Sequence, residues 1–410
     1  MKQVIIIIYY SIFLYAQTSS DSANPDIFTY TEKYHFDIVP DNGTYTIEIQ
    51  NLNGNINIQG HFGSGMVVKA KHQLYWSALH KGITSKRENI IKVFHYEEDR
   101  RIHISDPNDN KIHRKESSFF LSVPINTNHK IEIEGGDIIA EELQGDIKFI
   151  TNGGSIKIKS IIGETVLQNS GENIIIRNCE GHFRAHTSGG NIELYKNIGK
   201  YNVSSAGGDI KLNTLKGDVQ LMTIGGSIFI HNLEGDKLHC RSSSGNIIAE
   251  EIQGNFVCQT KNGNIQVEFL EGLCNLTTNN GDISTDYLTG SIVLDAIRGN
   301  IFGENIFGSV QAYTSDGNID FKISYDSGST DFSISLETVY GNIDVSLPKN
   351  LPVTIEAEIQ GGKMAGAISS DIPITIEDTE SKIFARGLVN QGTIPMNLFT
   401  GKGYITIRED

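Results

Sequence analysis

A small polar residue recurs along the middle of the chain, directly before an isoleucine and, except at Asn173, directly after a glycine. It is Asp, Asn or Ser and returns every 18 residues from Asp137 to Asn318, with a single step of 19. Regularly spaced carboxylates beside glycines could bind calcium, which takes hard oxygen ligands. Uncharged Asn and Ser share this column, however, and weaken divalent binding. We therefore predict no metal site and interpret the column as residues that turn the backbone at a corner.

Histidine and cysteine are the other residues with metal-binding or redox chemistry. His182 and His186 are four residues apart, a spacing that brings side chains together on a helix but not along a strand. Cys240 and Cys258 are 18 residues apart, so we predict that they stack in adjacent coils at about 4.8 Å between Cα atoms, within disulfide range. We expect two buried thiols that fill the core. A disulfide formed in an oxidising compartment is the alternative.

Catalysis requires groups positioned against one another in a groove. The acidic pairs Glu141-Glu142 and Glu250-Glu251 occupy equivalent ends of strands and are interpreted as solvated edges. The repeats carry essentially one inserted residue, so they lack the long loops that build such a groove. We predict that the protein is not an enzyme and uses no cofactor. The alternative is a polysaccharide lyase or hydrolase built on a β-helix.

These residues are carried by a repeat. From Gly136 to Gly317 a glycine returns every nine residues, except at Glu172 and across one ten-residue step, and alternate glycines differ, so the unit has 18 residues. Apolar and polar residues alternate within each half, as in Ile210-Lys211-Leu212, which predicts a half-buried strand. The glycines and small polar residues between the halves predict tight corners.

The residue after the small polar one is Ile in all eleven repeats. Stacked at this period, the side chains form one internal column, and each buried Ile contributes about 1.5–3 kcal/mol. A second column consists mostly of Thr, including Thr223 and Thr278. Each Thr is an even number of residues from apolar neighbours in its strand, so its side chain lies on the same face and is predicted to point inward. The predicted core column comprises Ile138, Ile156, Ile174, Ile192, Ile210, Ile228, Ile247, Ile265, Ile283, Ile301 and Ile319.

The sequence therefore predicts an all-β protein, a parallel β-solenoid with 18-residue coils of two strands each and irregular β caps at both ends. We expect an N-terminal irregular β region and solenoid cap over 26–134, the regular solenoid over 135–325, and a C-terminal β cap over 326–410. Atypical terminal coils are expected because open sheet edges invite aggregation.

The N-terminus has the pattern of a targeting segment. Lys2 precedes the apolar run Val4 to Tyr15, and a polar stretch follows, which is typical of a secretory signal peptide at 1–16 with cleavage after Ala16. The run is short for a transmembrane helix. We expect an exported protein with no direct membrane span after cleavage, located in the periplasm, at the cell surface or outside the cell.

The net charge of the chain indicates whether nucleic acid is a partner. The 410-residue chain has a formal net charge of −15, with 34 Lys and Arg against 49 Asp and Glu. Nucleic-acid binding requires clustered Lys and Arg on the protein. We therefore predict that no nucleic acid is bound.

The residue after each column Ile should point outward. At this position Ile139, Ile175, Phe229, Ile248 and Phe302 lie among Lys, Glu, Gln and Ser, whereas the matching column of the second half is more polar. An outward apolar excess can mark an interaction face, although such residues also suit strands in general. We predict that this first-half face is covered by a flank, a second copy or a ligand.

Several segments carry a family resemblance. NLNGNINIQG, LSVPINTNHKIEIEGGDI, the repeated SGGNIEL, AGGDIKL and KNGNIQV, and the late GKGYITI resemble the bacterial putative-adhesin β-strand-repeat family, which is similar in style to the heads of autotransporter-type adhesins. The resemblance covers roughly residues 35 to 410. It implies an exported or envelope β-solenoid without catalytic residues, acting as a binding or adhesion-type scaffold for an unknown surface protein or glycan, or for a second copy of itself. A pure structural spacer is a further alternative.

Overall fold

The computed structural model describes residues 27–38, 43–75, 90–106, 114–326, 332–361 and 366–410. These residues form thirty β-strands and no helix, so the all-β prediction is confirmed. They divide into two compact units, one made of the described residues up to Val203 and the other of those from Ser204 on. The predicted signal peptide at 1–16 lies outside the described residues.

The first unit begins with irregular pairing and becomes a parallel solenoid. Antiparallel pairs join β1 to β4, β4 to β7 and β5 to β6, and every later pair is parallel. Its strands are β1 (Ile27–Phe36), β2 (Tyr45–Gln50), β3 (Asn55–His61), β4 (Met66–Tyr75), β5 (Lys92–Tyr96), β6 (Arg101–Ser105), β7 (Arg114–Pro124), β8 (Thr127–Ile133), β9 (Ile138–Gln144), β10 (Ile147–Thr151), β11 (Ile156–Asn169), β12 (Ile174–Arg177), β13 (Glu180–Thr187) and β14 (Ile192–Ser205).

The second unit is parallel from its start and includes an antiparallel arrangement of β25, β28 and β27. Its last two strands, β29 and β30, pair in parallel with earlier strands. The limits predicted for the caps stay a prediction. The strands are β15 (Ile210–Lys216), β16 (Val219–Thr223), β17 (Ile228–Ser242), β18 (Ile247–Thr260), β19 (Ile265–Asn280), β20 (Ile283–Arg298), β21 (Ile301–Asp316), β22 (Ile319–Ile323), β23 (Ile334–Tyr340), β24 (Ile343–Leu347), β25 (Val353–Gln360), β26 (Ile368–Ser370), β27 (Thr375–Asp378), β28 (Lys382–Leu388), β29 (Ile394–Lys402) and β30 (Ile405–Glu409).

The isoleucines of the column are stacked in register and buried. In the first unit Ile156 pairs with Ile138 on one side and Ile174 on the other. In the second unit the register continues from Ile283 to Ile301. All eleven side chains are at most 1% exposed. Hydrophobic burial in this column is therefore repeated coil by coil within each unit.

The corner before each column Ile is stabilised by a ladder of side-chain acceptors. The Asn246 Oδ1 atom accepts a hydrogen bond of 2.9 Å from the backbone amide of Asn264, and Asn264 Oδ1 accepts one of 2.9 Å from Asp282. A Cβ atom on Gly154 would lie 2.0 Å from the Gly136 carbonyl oxygen one coil away, so glycine is required there. The polar column thus uses its oxygens to connect coils.

The inward threonines complete the same corner. Thr223 and Thr278 are at most 1% exposed. Their hydroxyls donate hydrogen bonds of 2.9 Å to the carbonyl oxygens of Gly208 and Gly263. The inward direction predicted from parity is confirmed, and these buried hydroxyls have backbone partners as expected.

A second corner, which the sequence did not predict, lies four residues after each column Ile from Ile138 to Ile301. Here the backbone is left-handed in every regular coil from Glu142 (φ 57°) to Asn305 (φ 51°). A strand such as β19 bends at this residue and continues. In β11, β14 and β17–β21 the two strands of a coil are joined through this bend without a break, whereas β9 and β10, β12 and β13, and β15 and β16 remain separate.

Cys240 and Cys258 form a disulfide, which corrects the expectation of two free thiols. The two residues are register partners in β17 and β18, with Cα atoms 4.8 Å apart. Stacking at the coil spacing therefore brings both sulfurs within bonding range. Cys179 and Cys274 are free and buried.

The column makes a position-specific prediction about stability. Ile283→Asp should lower the free energy of unfolding by several kcal/mol, because an unpaired carboxylate is buried. Ser284→Asp places the same group one residue along, at an exposed position, and should change it by less than about 1 kcal/mol. Denaturant unfolding of both variants tests this, and equal losses would mean that the inward and outward positions are misassigned.

His129 predicts a pH dependence. The side chain is buried beside Phe149, and burial lowers the pKa of His129 to about 3. An unfolded His has a pKa of about 6.5, so the unfolded chain binds a proton that the folded chain does not. Stability contributed by this site is therefore complete above about pH 6.5 and falls toward pH 3.

His129→Gln should accordingly reduce the stability lost between about pH 7 and about pH 4 by about 2–3 kcal/mol. The measurement is the free energy of unfolding at both pH values. The exposed His182→Gln serves as the control and should leave that difference unchanged. A parallel acid response in wild type and His129→Gln would show that the buried imidazole does not contribute.

The disulfide predicts the thiol content. Denatured, non-reduced protein should contain two free thiols per chain, from Cys179 and Cys274, and a digest should contain a peptide linking Cys240 to Cys258. Replacing both linked residues by Ala should lower stability by about 3 kcal/mol, whereas Cys274→Ala should leave reductant sensitivity intact. Four reactive thiols in oxidised protein would contradict the bond.

Candidate interaction surface

The first-half face of the second unit consists of the outward residues one and three positions after each column Ile. The positions directly after Ile form one register line across β17 to β21. The line is Phe229, Ile248, Gln266, Ser284 and Phe302. The column isoleucines that precede these residues are fully buried and fill the core. The outward side chains of the line are therefore not needed to fill it.

The structure brings together two of the five predicted interaction residues. Phe229 and Ile248 are register partners, and both are half-buried. The Lys211 Nζ atom lies 5.9 Å from the centre of the Phe229 ring. Phe302 is 40% exposed but is separated from this pair by Gln266 and Ser284.

The two predicted residues in the first unit are isolated from other apolar side chains along their register line. Ile139 pairs with Asn57 and Lys157, and Ile175 pairs with Lys157 and Glu193. Both isoleucines are half-buried. The apolar residues of the first-half face therefore alternate with polar ones.

A carboxylate column runs beside the apolar line in the second unit. Glu250, Glu268, Asp286 and Glu304 are consecutive register partners. Like charges on directly neighbouring strands destabilise a sheet. Their polar contacts are with His231, whose Nδ1 atom is 3.4 Å from Glu250, and with amide groups of Gln266 and Asn305, which donate hydrogen bonds of 2.8 Å to Glu268 and Asp286.

The pKa of Asp320, at the end of the line of residues directly after Ile, is shifted by burial and by neighbouring charges. Asp320 follows Phe302 in the register line. Burial, and then the negative charges of Asp344 and Glu304, raise the pKa of Asp320, while Arg408 opposes the shift. The carboxylates of Asp344 and Glu304 therefore act on Asp320 in addition to its burial.

Two exposed aromatic residues lie directly beside the carboxylate column and were missed by the sequence reasoning. Phe269 and Tyr287 occupy the second, left-handed corner, with φ angles of 55° and 53°. Their rings stack at 5.1 Å with 17° between planes and remain 52% and 47% exposed. We call this pair the aromatic corner. Its sequence signal was an aromatic residue four positions after Ile in two consecutive repeats.

A serine, a histidine and a carboxylate do meet elsewhere, in the first unit. The Ser117 Oγ atom is 2.8 Å from His72 Nδ1, and His72 Nε2 is 3.9 Å from Glu32. All three residues are at most 6% exposed, and the Glu32 carboxylate accepts hydrogen bonds from the amides of Ile90 and Ile91. Nucleophilic catalysis needs a group that substrate can reach, so this network fits a structural role that joins β1, β4 and β7 to residues 90 and 91.

Two further features of the described residues concern metals and membranes. No three His, Cys, Asp or Glu side chains among them are grouped so that they could hold a metal ion. Within the same part of the chain there is no helix with the length and apolar character needed to span a membrane.

Three solved structures are similar to the chain at low identity. A "putative cell adhesion protein" from Clostridium sporogenes has 11% identity and a TM-score of 0.16, over 93% of this chain and 100% of that chain. A "putative lipid binding protein" from Parabacteroides distasonis has 12% identity and a TM-score of 0.22, over 77% and 96%. A "putative adhesin" from the same organism has 11% identity and a TM-score of 0.21, over 77% and 97%. Similarity at this level supports no argument about function.

The family assignment comes from the sequence. None of the curated proteins is significantly similar to the chain. The Toastrack DUF4097 family model, by contrast, matches residues 77–407. That match confirms the resemblance to an adhesin-type β-strand-repeat family and the parallel β-solenoid fold. The chain belongs to the Toastrack DUF4097 family.

Proposed function

We propose that this protein is exported and acts as a non-enzymatic binding scaffold of the cell envelope or the extracellular space. Export is supported by the signal-peptide pattern at residues 1–16. It is also supported by the Cys240–Cys258 disulfide, because such bonds persist in oxidising compartments. The partner is a surface protein, a glycan or a second copy of the chain.

The first-half face of the second unit is the observation that carries the binding role. Phe302 is 40% exposed, and Phe229 and Ile248 stand together on the outer side of a core that is already filled. A spacer needs only polar outward residues to stay soluble. Apolar side chains held outward on a rigid sheet instead favour contact with another molecule.

Support for a non-enzymatic role comes from the Ser117, His72 and Glu32 network. These groups have the composition of a nucleophilic site but are sealed in the fold. A β-helix lyase or hydrolase remains the rival, and breakdown of an envelope polysaccharide by the purified protein would favour it.

The test is binding of purified mature protein to washed envelopes of the organism that produces it. Phe229→Ser combined with Phe302→Ser should weaken binding or self-association about tenfold or more, because apolar contacts at an interface centre are lost. The melting temperature should be nearly unchanged, since both side chains point outward. Val257→Ser with Val293→Ser makes the matched change on the second-half face and should leave binding intact.

Three results would contradict the proposal. The protein could stay inside the cell with residues 1–16 retained. Wild type could bind neither envelopes nor itself, which would favour the spacer. The valine pair could abolish association while the phenylalanine pair does not, which would place the interface on the opposite face.

A further inference from the structure

The aromatic corner is placed where it lowers stability. A left-handed backbone costs an L-residue about 1–2 kcal/mol, and a bulky side chain tolerates it poorly. Three other coils fill this corner with an asparagine, a residue that adopts the conformation readily: Asn178, Asn232 and Asn305. Phe269 and Tyr287 are about half exposed, so burial compensates only part of the cost. Strain at an exposed site is a reason to look for function there.

The carboxylate column crosses the same coils, and like charges on neighbouring strands oppose stability in general. Glu268 precedes Phe269, and Asp286 precedes Tyr287. These two carboxylates are direct register partners in β19 and β20. The neighbours that contact them through hydrogen bonds, Gln266 and Asn305, are neutral amides. Strained aromatic residues and stacked negative charges thus coincide at one place on the surface.

A cationic ligand can contact both the exposed aromatic rings and the stacked carboxylates. The face of an aromatic ring attracts cations, and Arg stacks on rings more readily than other residues. Carboxylates bind the guanidinium group through paired hydrogen bonds. We propose that the aromatic corner and the carboxylate column together bind an Arg- and Lys-rich segment of a partner protein.

The neighbouring apolar residues fit the same partner. Ile248 and Phe302 lie beside the carboxylate column, two residues before Glu250 and Glu304. Long basic side chains have aliphatic stems that cover apolar surface while the charged head meets an acid. The formal net charge of −15 adds long-range attraction for a basic segment. The same carboxylates repel an acidic polysaccharide.

This inference rests on the proposed binding function and specifies the partner's chemistry. The probe is a fluorescein-labelled twelve-residue peptide of alternating Arg and Ser, with a Glu and Ser peptide of the same length for comparison. Fluorescence anisotropy with full-length mature protein should detect binding of the Arg peptide only, and binding should weaken as salt is raised.

The decisive variant is Phe269→Asn with Tyr287→Asn, which installs the residue that three other coils use at this corner. The affinity for the Arg peptide should fall about tenfold, the effect of losing two cation–π contacts. The melting temperature should stay the same or rise, because the corner is relaxed. A clear fall in melting temperature would show that the pair is structural and would overturn the proposal.

A charge-matched control separates the site from overall charge. Glu268→Gln with Asp286→Asn should weaken binding and reduce its salt dependence. Glu377→Gln with Glu380→Gln removes the same charge from the exposed segment around β27 and should leave binding unchanged. Equal weakening by both pairs would mean that net charge alone attracts the peptide, which would overturn the site.

The remaining outcomes distinguish this inference from the proposed function. If envelope binding is normal but is displaced by a neutral oligosaccharide and not by the Arg peptide, the basic partner is wrong and the scaffold role stands. If the Arg peptide binds at the aromatic corner but envelopes do not bind, the envelope role is wrong and the cationic site stands.

Discussion

The coil-to-coil spacing of about 4.8 Å is the constraint from which the rest of each unit follows. In the regular coils, parallel backbone hydrogen bonds place a residue directly beside the residue 18 or 19 positions away, so each position must be compatible with its own copy. A Cβ atom on Gly226 would lie 2.2 Å from the Gly208 carbonyl oxygen, which excludes larger residues at that corner. Isoleucine, by contrast, packs well against isoleucine. The repeated Gly, Asn and Ile are therefore consequences of one spacing.

Stacking of like residues has different effects at inward and outward positions. Inside, stacking of like residues stabilises the fold through burial and through hydrogen bonds such as that from Thr278 to Gly263. Outside, like charges on neighbouring strands can oppose stability, and Glu268 and Asp286 are direct register partners of this kind. Outward positions can vary without harming the core, so they are the positions free to contact a partner. The aromatic corner combines exposure with backbone strain and is the part of the surface least explained by folding alone.

Features that repeat along the sequence, such as the direction of each side chain, were predicted correctly. Features set by local backbone conformation, such as the left-handed corner, were not predicted. The inward direction of Thr223 followed from parity with Leu221, since strand side chains alternate. The left-handed corner was not predicted because its residues range from Glu142 to Phe269 and share no chemistry. The stacking of Cys240 on Cys258 followed from their spacing, but their bond did not, because bonding depends on side-chain direction as well as on Cα distance. Phe269 and Tyr287 were not recognised as a pair, because their stacking at the surface depends on the left-handed corner that the sequence did not predict.

Register is the claim on which both the fold and the proposed surface depend. The most direct test is oxidative cross-linking of paired cysteines at outward positions. Gln266→Cys with Ser284→Cys joins direct register partners in neighbouring strands, and we expect rapid, nearly complete disulfide formation. Gln266→Cys with Asn275→Cys, nine residues apart on opposite halves of one coil, should not cross-link. Cross-linking of the nine-residue pair in preference to the 18-residue pair would show that the halves fold back as hairpins and would contradict the solenoid.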